Sequence, residues 1–488
     1  MTESRNFYPN ASAELKDWLL NCFEKDVRLF DIKSKLKEVT KKSVSVDDVK
    51  EAIVMSYIDS GESGRAIDIA CRFNEQNPTA NMHNLILKGL LSSWQFSQQL
   101  FLDESLEWAK RWGGETHEIL KPYKNKKPRV GFVCDYGSTV FGENAIFPMC
   151  VAFSNMGFDV HYYNFEVARF EVIGSDIQVA NVHKLSVSQL SRKIIQDKID
   201  VLIDLNGRLR DNHRLGVFAM RSAPVQLNYF NLVGTTGMKC YDYAIVDEIQ
   251  VPKADEKYYT EKLLRLPCGV NGAFAFKRDV PIQDRKVDTG RPFVFASFNA
   301  FFKCNDLLLR TWAEILRRVP GSKLVIKCHE TNRDRVIKKI AHIFSSEGID
   351  FERILIEGWS SLQVLRKQYA NVDLCLDTFP YSGGSSTLNS LWQGVPVLTW
   401  CGDGWRARST ASMLAAAGLS DFIAASREEY VEKAVLHATA GTYLEETRQY
   451  LKAHVADNPY FKPDMFYAEL VQAILGLVHS SNVPVTEV

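Results

Sequence analysis

The run LDTFPYSGGSSTLNSLWQGVPVLTW, residues 376–400, constrains the fold more than any other stretch of this 488-residue chain. It reads as a buried strand, a small-residue turn, a hydroxyl-rich helix start and a second buried strand, the grammar of a parallel β-α-β unit. Val372 to Leu376 is apolar except for Asp373, as a strand covered on both faces must be. Asp377 follows at the carboxyl end of that strand, the edge where open α/β sheets bind their ligands. Gly383 and Gly384 let backbone approach a ligand closely, and Ser385, Ser386 and Thr387 are expected to cap the next helix and to offer hydroxyls beside its free N–H groups. A phosphate or pyrophosphate fits such a cradle. The same residues also open many helices that bind nothing.

The same alternation extends along most of the chain. The basic, turn-prone stretch KPYKNKKPRVG, residues 121–131, passes abruptly into a first strand at Arg129–Cys134. Strands at Phe158–Phe165, Ile199–Leu205, Val225–Phe230 and Tyr243–Val246 follow, with a helix at Val187–Gln196, and they predict one Rossmann-like half. The polar segment Lys277–Pro292 precedes a second such half. Its strands are expected at Phe293–Phe298, Lys323–Cys328, Ile354–Ile356, Val372–Leu376 and Val395–Trp400, with an amphipathic helix at Leu307–Val319.

Residues 1–124 are instead helical in period, with amphipathic stretches at Ala13–Glu24, Val46–Ser60 and Leu85–Leu102. In Ala52–Pro78 the spacing of Tyr57, Gly61, Ala66 and Pro78 follows the tetratricopeptide pattern. No second copy accompanies it, so a degenerate repeat and a plain helical domain both stay open. The expected organisation is a helical domain at 1–124, a first Rossmann-like half at 125–284 and a second, ligand-binding half at 285–488.

Charge excludes some functions. Fifty-nine basic residues balance fifty-nine acidic ones, so no global field favours nucleic acid or an anionic membrane. There is no run approaching a membrane span and no signal-like start, and a cytoplasmic location is expected. The ten cysteines form no CxxC pair and read as reduced core residues. No HxH, HExxH or carboxylate cluster proposes a metal.

Several ordered segments together resemble the protein O-GlcNAc transferase family, which includes SPINDLY-type enzymes: the 376–400 run, SFNAFFKCND at 297–306, and DLNG, RSAPVQ, GTTG and DYAIVD in that order within 200–248. EKLLRLP at 261–267 and DESLEWAKRWG at 103–113 match as well, so the resemblance covers about residue 100 to the C-terminus. It implies a GT-B fold, two Rossmann-like domains facing a cleft behind an all-α N-terminal region. It also implies an inverting, metal-independent glycosyltransferase that moves a sugar from a nucleotide diphosphate to Ser or Thr of a protein. UDP-GlcNAc is the first donor expected, with a GDP-linked sugar such as GDP-fucose or another UDP-hexose as alternatives. No cofactor is expected beyond this co-substrate. The acceptor protein is expected to dock through the helical N-terminal region.

By the same resemblance Lys303 is the catalytic residue, meeting charge on the departing diphosphate. Taken alone, a lysine before a helix is usually a solvated loop residue. Asn305 or Asp306 is expected to cap the helix after it. Asn299, Gly383, Gly384, Ser385, Ser386, Thr387 and Asn389 are expected to bind the donor, and Asp204, Asn206, Thr235 and Thr236 to line the opposite side. Arg221 reads as structural, and Arg406 or Arg408 as either a phosphate contact or part of a solvated helix start.

Departures from the family pattern fall on groups that select the donor. Thr139, Arg208 and Leu365 stand where histidines are common, Asn389 replaces an acid and Ala300 a glutamine. They imply an altered nucleotide sugar or weakened catalysis, and they keep open a rival, a non-catalytic GT-B scaffold or chaperone of another transferase. A dehydrogenase is disfavoured, because the first strand continues as FVCD rather than into GxGxxG.

Overall fold

The computed structural model describes residues 13–40, 44–114, 118–134, 145–165, 177–207, 215–229, 234–268, 272, 290–328, 333–358, 360–439 and 442–481. Two all-parallel sheets carry the fold. The first holds β1 Arg129–Cys134, β2 Asp159–Asn164, β3 Gln178–Asn181, β4 Val201–Asp204, β5 Val225–Asn228, β6 Tyr243–Val246 and β7 Lys262–Arg265. Their order across the sheet is β3-β2-β1-β4-β5-β6-β7. The second holds β8 Val294–Ser297, β9 Lys323–Lys327, β10 Ile354–Glu357, β11 Leu374–Leu376, β12 Val397–Trp400 and β13 Ile423–Ala424, ordered β10-β9-β8-β11-β12-β13.

Central strands are buried throughout and, apart from Asp204 at the end of β4, apolar on both faces, as β4 (VLID) and β11 (LCL) show. In β1 a side chain at Gly131 would come within 2.9 Å of Leu202 Cδ1 and 3.1 Å of Tyr163 Cε2, so glycine sets how closely that layer packs. In each sheet the chain reverses direction once: β1 lies between β2 and β4, and β8 between β9 and β11. The loops leaving β8 and β11 therefore flank a topological switch point, where doubly wound sheets place their crevice.

Among the described residues six helices precede the first sheet: α1 Ala13–Glu24, α2 Leu29–Thr40, α3 Val46–Asp59, α4 Ser63–Gln76, α5 Ala80–Ser92 and α6 Gln98–Trp112. The amphipathic stretch Leu85–Leu102, expected as one helix, is broken between α5 and α6. Its physical reason lies in the polar residues inside it, since Ser97 accepts from the Leu100 N–H and caps a new helix. Ser45 and Asp48 form a capping box that starts α3. The chain divides into two compact units, one gathering α1–α5 with the second sheet, the other gathering α6, the first sheet and the C-terminal helix Pro463–Ser481.

Strands β3, β7 and β13 were not expected from the sequence pattern. All three are edge strands of two to four residues, and β3 and β7 lack a buried face, so no periodicity marks them.

Candidate donor site at the switch point of the second sheet

Beyond β8 the chain makes a short turn carrying Lys303, and Asn305 then caps the helix Asp306–Arg318 by accepting from the Leu308 N–H at 3.0 Å, as expected. Beyond β11 it runs through Asp377 to Gly383 and into the helix Ser385–Trp392. The two loops meet. Lys303 Nζ donates to the Ser382 carbonyl at 2.7 Å and lies 4.1 Å from the centre of the Tyr381 ring. Asn305 Nδ2 donates to the Phe379 carbonyl at 2.8 Å, a second tie between the same loops.

Asp377 organises this junction from below. Its Oδ1 accepts from the Gly383 N–H at 2.8 Å and from Asn299 Nδ2 at 3.2 Å, while Oδ2 accepts from Thr399 at 2.8 Å. Asn299 passes the chain of bonds on, its Oδ1 accepting from Ser386 Oγ at 2.7 Å. Burial raises the Asp377 carboxyl above the usual carboxylate range, against the pull of these hydrogen bonds and of Lys303. Burial likewise lowers the Lys303 ammonium to about 8, an effect partly countered by Asp377. A buried ammonium close to a helix N-terminus is an arrangement that suits an anion.

The expectation that Ser385, Ser386 and Thr387 cap the following helix is corrected. Gly384 is the N-cap residue, and among the described residues no side chain caps the helix. The hydroxyls turn elsewhere, Ser386 to Asn299 and Thr387 to Thr410 at 2.9 Å. With the Ser386 and Thr387 hydroxyls engaged there, the first N–H groups of the helix are left without an intrahelical acceptor. The uncapped N-terminus is thus the positive pole facing this loop. Gly383 is required: a Cβ there would stand 2.4 Å from Thr387 Oγ1 and 3.0 Å from Asp377 Oδ1.

Asn389 is buried one turn further along. Its Oδ1 accepts from Arg366 Nε at 3.2 Å and its Nδ2 donates to the Ser385 carbonyl at 2.7 Å. Arg406 does not lie in solvent. Its guanidinium is buried over the Phe96 ring at 3.5 Å and donates to the Leu90 carbonyl at 3.0 Å, because the helix Trp405–Ala416 turns that face inward. Arg408 donates to the Gly402 carbonyl at 2.9 Å.

Beside the loops, at the carboxyl ends of β8, β9 and β10, a cleft of about 150 Å³ is lined by Phe298, Asn299, Ala300, Lys327, Gly358 and Leu365 among others. Lys327 Nζ is fixed by the Gly358 carbonyl at 3.1 Å and Ser360 Oγ at 3.0 Å. Two of the departures noted in the sequence, Ala300 and Leu365, therefore face one cavity. Thr139 and Arg208 lie outside the described residues.

In the other unit Asp204 ends β4 and anchors a turn, Oδ1 accepting from the amides of Asn206 and Gly207 and Oδ2 from the Tyr241 hydroxyl at 2.7 Å. Both threonines of the GTTG loop are turned inward. Thr235 Oγ1 donates to Glu261 at 2.7 Å, and the Thr236 N–H and hydroxyl both donate to the same carboxylate. Arg221 is structural, paired with Asp242 at 3.0 Å and donating to the Cys240 carbonyl. Neither Glu261 as the holder of that loop nor the Ser382 carbonyl as the lysine's partner is legible in the sequence. An acid 25 residues from a Gly-Thr-Thr-Gly turn gives no local signal, and a backbone acceptor leaves none at all.

Among the described residues no group of His, Cys, Asp and Glu is placed to hold a metal ion, and no helix is long and apolar enough to cross a membrane.

Residues 175–271 and 285–470 match the family described as glycosyl transferase family 41. A SPINDLY protein of Petunia hybrida, named a probable UDP-N-acetylglucosamine–peptide N-acetylglucosaminyltransferase, is 32% identical over 280 residues, 57% of this chain and 30% of the relative. The SEC protein of Arabidopsis thaliana, named likewise, is 30% identical over 371 residues, 71% of this chain and 37% of its own. The chain thus spans about a third of the length of these curated relatives. A solved structure of an O-GlcNAc transferase mutant from Thermobaculum terrenum aligns at TM-score 0.82 and 24% identity, covering 96% of this chain and 98% of that one. That likeness shows the fold, two Rossmann-like domains of the GT-B kind with a helical N-terminal region.

Proposed function

The chain belongs to glycosyl transferase family 41, and from that premise we propose that it transfers a sugar from a nucleotide diphosphate donor to a serine or threonine of a protein acceptor. One observation carries the reading: the Lys303 ammonium and the uncapped start of the helix Ser385–Trp392 converge on one loop at the switch point of the second sheet. A diphosphate seated there exchanges the Ser382 carbonyl for a stronger, charged partner of Lys303. Sugar–phosphate cleavage leaves negative charge on the terminal phosphate, and a lysine plus a helix N-terminus offset that charge where it develops. On this reading no divalent cation is needed. The proposed stereochemical course is inversion, which follows the family rather than any single residue.

The adjoining cleft is smaller than sites that enclose drug-sized molecules and suits one portion of a nucleotide. UDP-GlcNAc is the first donor to test, since both relatives are named for it. Ala300 and Leu365 give that cleft an apolar wall and favour including GDP-fucose and other UDP-hexoses in the same panel. The remaining proposed contacts are Asn299, Gly383, Gly384 and Ser386 toward the diphosphate.

Calorimetry with UDP, GDP and their sugars, on wild type and Lys303→Ala, tests the site; labelled donors with candidate acceptor proteins test the transfer. Diphosphate binding that disappears in the variant, with label on protein hydroxyls, is the expected result. Binding of none of them would leave a scaffold in its place.

A further inference from the structure

The Tyr57–Gly61 motif that resembles a helical repeat is not absorbed by the transfer reaction, yet it touches the site's framework. Gly61 closes the turn between α3 and α4 at φ 69°. A Cβ on it would lie 2.1 Å from the carbonyl oxygen of Cys304, the residue after Lys303, and 3.4 Å from Phe301 in the same turn. Backbone here rests on backbone, and only glycine satisfies both the left-handed conformation and the approach. The contact is clamped on either side. Lys339 Nζ donates to the Gly61 carbonyl at 2.8 Å and pairs with Asp306 at 2.7 Å, bridging the α3–α4 turn to the start of the helix that follows Lys303. Arg335 makes a forked pair with Glu62, at 2.7 and 3.0 Å, while its guanidinium lies 5.2 Å from the Tyr57 ring.

The second loop of the site is held from the same region. The Arg406 carbonyl accepts from both the Ser382 N–H at 2.9 Å and the Ser382 hydroxyl at 2.8 Å. The Arg406 side chain, in turn, is locked over Phe96 and onto Leu90 at the end of α5. Lys303 and its partner Ser382 are thus each set in place from behind by a different part of the N-terminal helices. Side chains of this kind act through backbone they hold, and a loop's worth of misplacement is expensive for a charged contact.

We propose that the N-terminal helices are a positioning element of the diphosphate site: the α3–α4 turn at Gly61 sets the Lys303 loop, and the end of α5, through Arg406, sets Ser382. The proposal rests on the donor-site reading above. It assigns Gly61, Lys339 and Arg406 as positioning residues, and it makes the helical region part of the donor machinery rather than an independent appendage for acceptors.

The test compares the full-length chain with its Gly61→Ala variant by two readouts: calorimetric affinity for UDP and GDP against uridine and guanosine, and amide hydrogen exchange of residues 298–306. The expected result is a nucleoside diphosphate affinity lowered about tenfold, in the range that small misplacements produce, with nucleoside affinity unchanged and faster exchange confined to that loop. Equal diphosphate affinity and equal exchange in the folded variant overturn the proposal. Should the wild type bind neither nucleotide, the donor reading fails while exchange alone still decides the positioning claim, faster exchange supporting it and unchanged exchange overturning it. If Gly61→Ala does not fold, Lys339→Met, which keeps the stem and deletes the bridging ammonium, is judged by the same outcomes.

Discussion

Replacing Lys303 with methionine removes the ammonium and keeps an unbranched stem, and the structure predicts opposite signs for stability and binding. Lys303 is lowered from 10.5 to about 8, chiefly by burial. At about 1.4 kcal/mol per pH unit, carrying that charge opposes folding by up to roughly 3 kcal/mol at neutral pH, an upper bound because part of the side chain reaches solvent. The variant leaves the Ser382 carbonyl without its donor, which costs about 1 kcal/mol. Lys303→Met should therefore be more stable than wild type at neutral pH, by at most about 2 kcal/mol. Between about 8 and 10.5 the unfolded chain still holds a proton that the folded chain has released, so wild-type stability rises with pH across that window. The variant lacks that rise. Diphosphate binding moves the other way, falling by about a hundredfold, the scale of losing one preorganised donor to a developing charge. In wild type, UDP affinity should fall as pH rises through the lysine's titration, whereas the variant's affinity should lack that step. Denaturant unfolding and calorimetry across pH measure both. A variant that is less stable at neutral pH, or that binds diphosphate as wild type does, refutes the reasoning.

Other outcomes follow from the same geometry. Gly383→Ala places a methyl 2.4 Å from Thr387 Oγ1, so it should weaken UDP binding in calorimetry even with Lys303 intact. Leu365→Ala should change the affinity for nucleosides more than that for inorganic pyrophosphate, because Leu365 lines the cleft and not the lysine loop. Glu261→Gln cannot accept every bond that Thr235 and Thr236 now donate, and should destabilise the first-sheet unit by about 1–3 kcal/mol in denaturant unfolding. Transfer, once assayed with a labelled donor, should be unaffected by a chelator, since lysine and helix N-terminus are proposed to do the metal's work.

Much of this fold was legible because parallel strands buried on both faces leave continuous apolar runs. The strands Arg129–Cys134 and Tyr243–Val246 appear with the bounds their apolar runs predict, and the helix Val187–Gln196 with those of its amphipathic period. What was illegible follows from physics that periodicity does not carry. The break between α5 and α6 is set by a serine cap inside an amphipathic stretch, and β3, β7 and β13 are short edges with little to bury. At the site, residue types pointed to Lys303 and to the Gly383 turn, but not to how hydroxyls distribute. Ser386 and Thr387 turn to Asn299 and Thr410, partners 87 and 23 residues away, and leave the helix start open. Arg406 shows the converse. A basic residue after a Gly-Asp-Gly turn reads as a surface group, and only the packing of Phe96 and Leu90 against it makes it an internal strut.

The most direct measurement is a crystal structure of this chain with a bound nucleoside diphosphate. The terminal phosphate is expected between Lys303 Nζ and the N–H groups of Ser385–Thr387, with the base in the cleft walled by Ala300 and Leu365. A nucleotide bound elsewhere, with the lysine still on the Ser382 carbonyl, would contradict it.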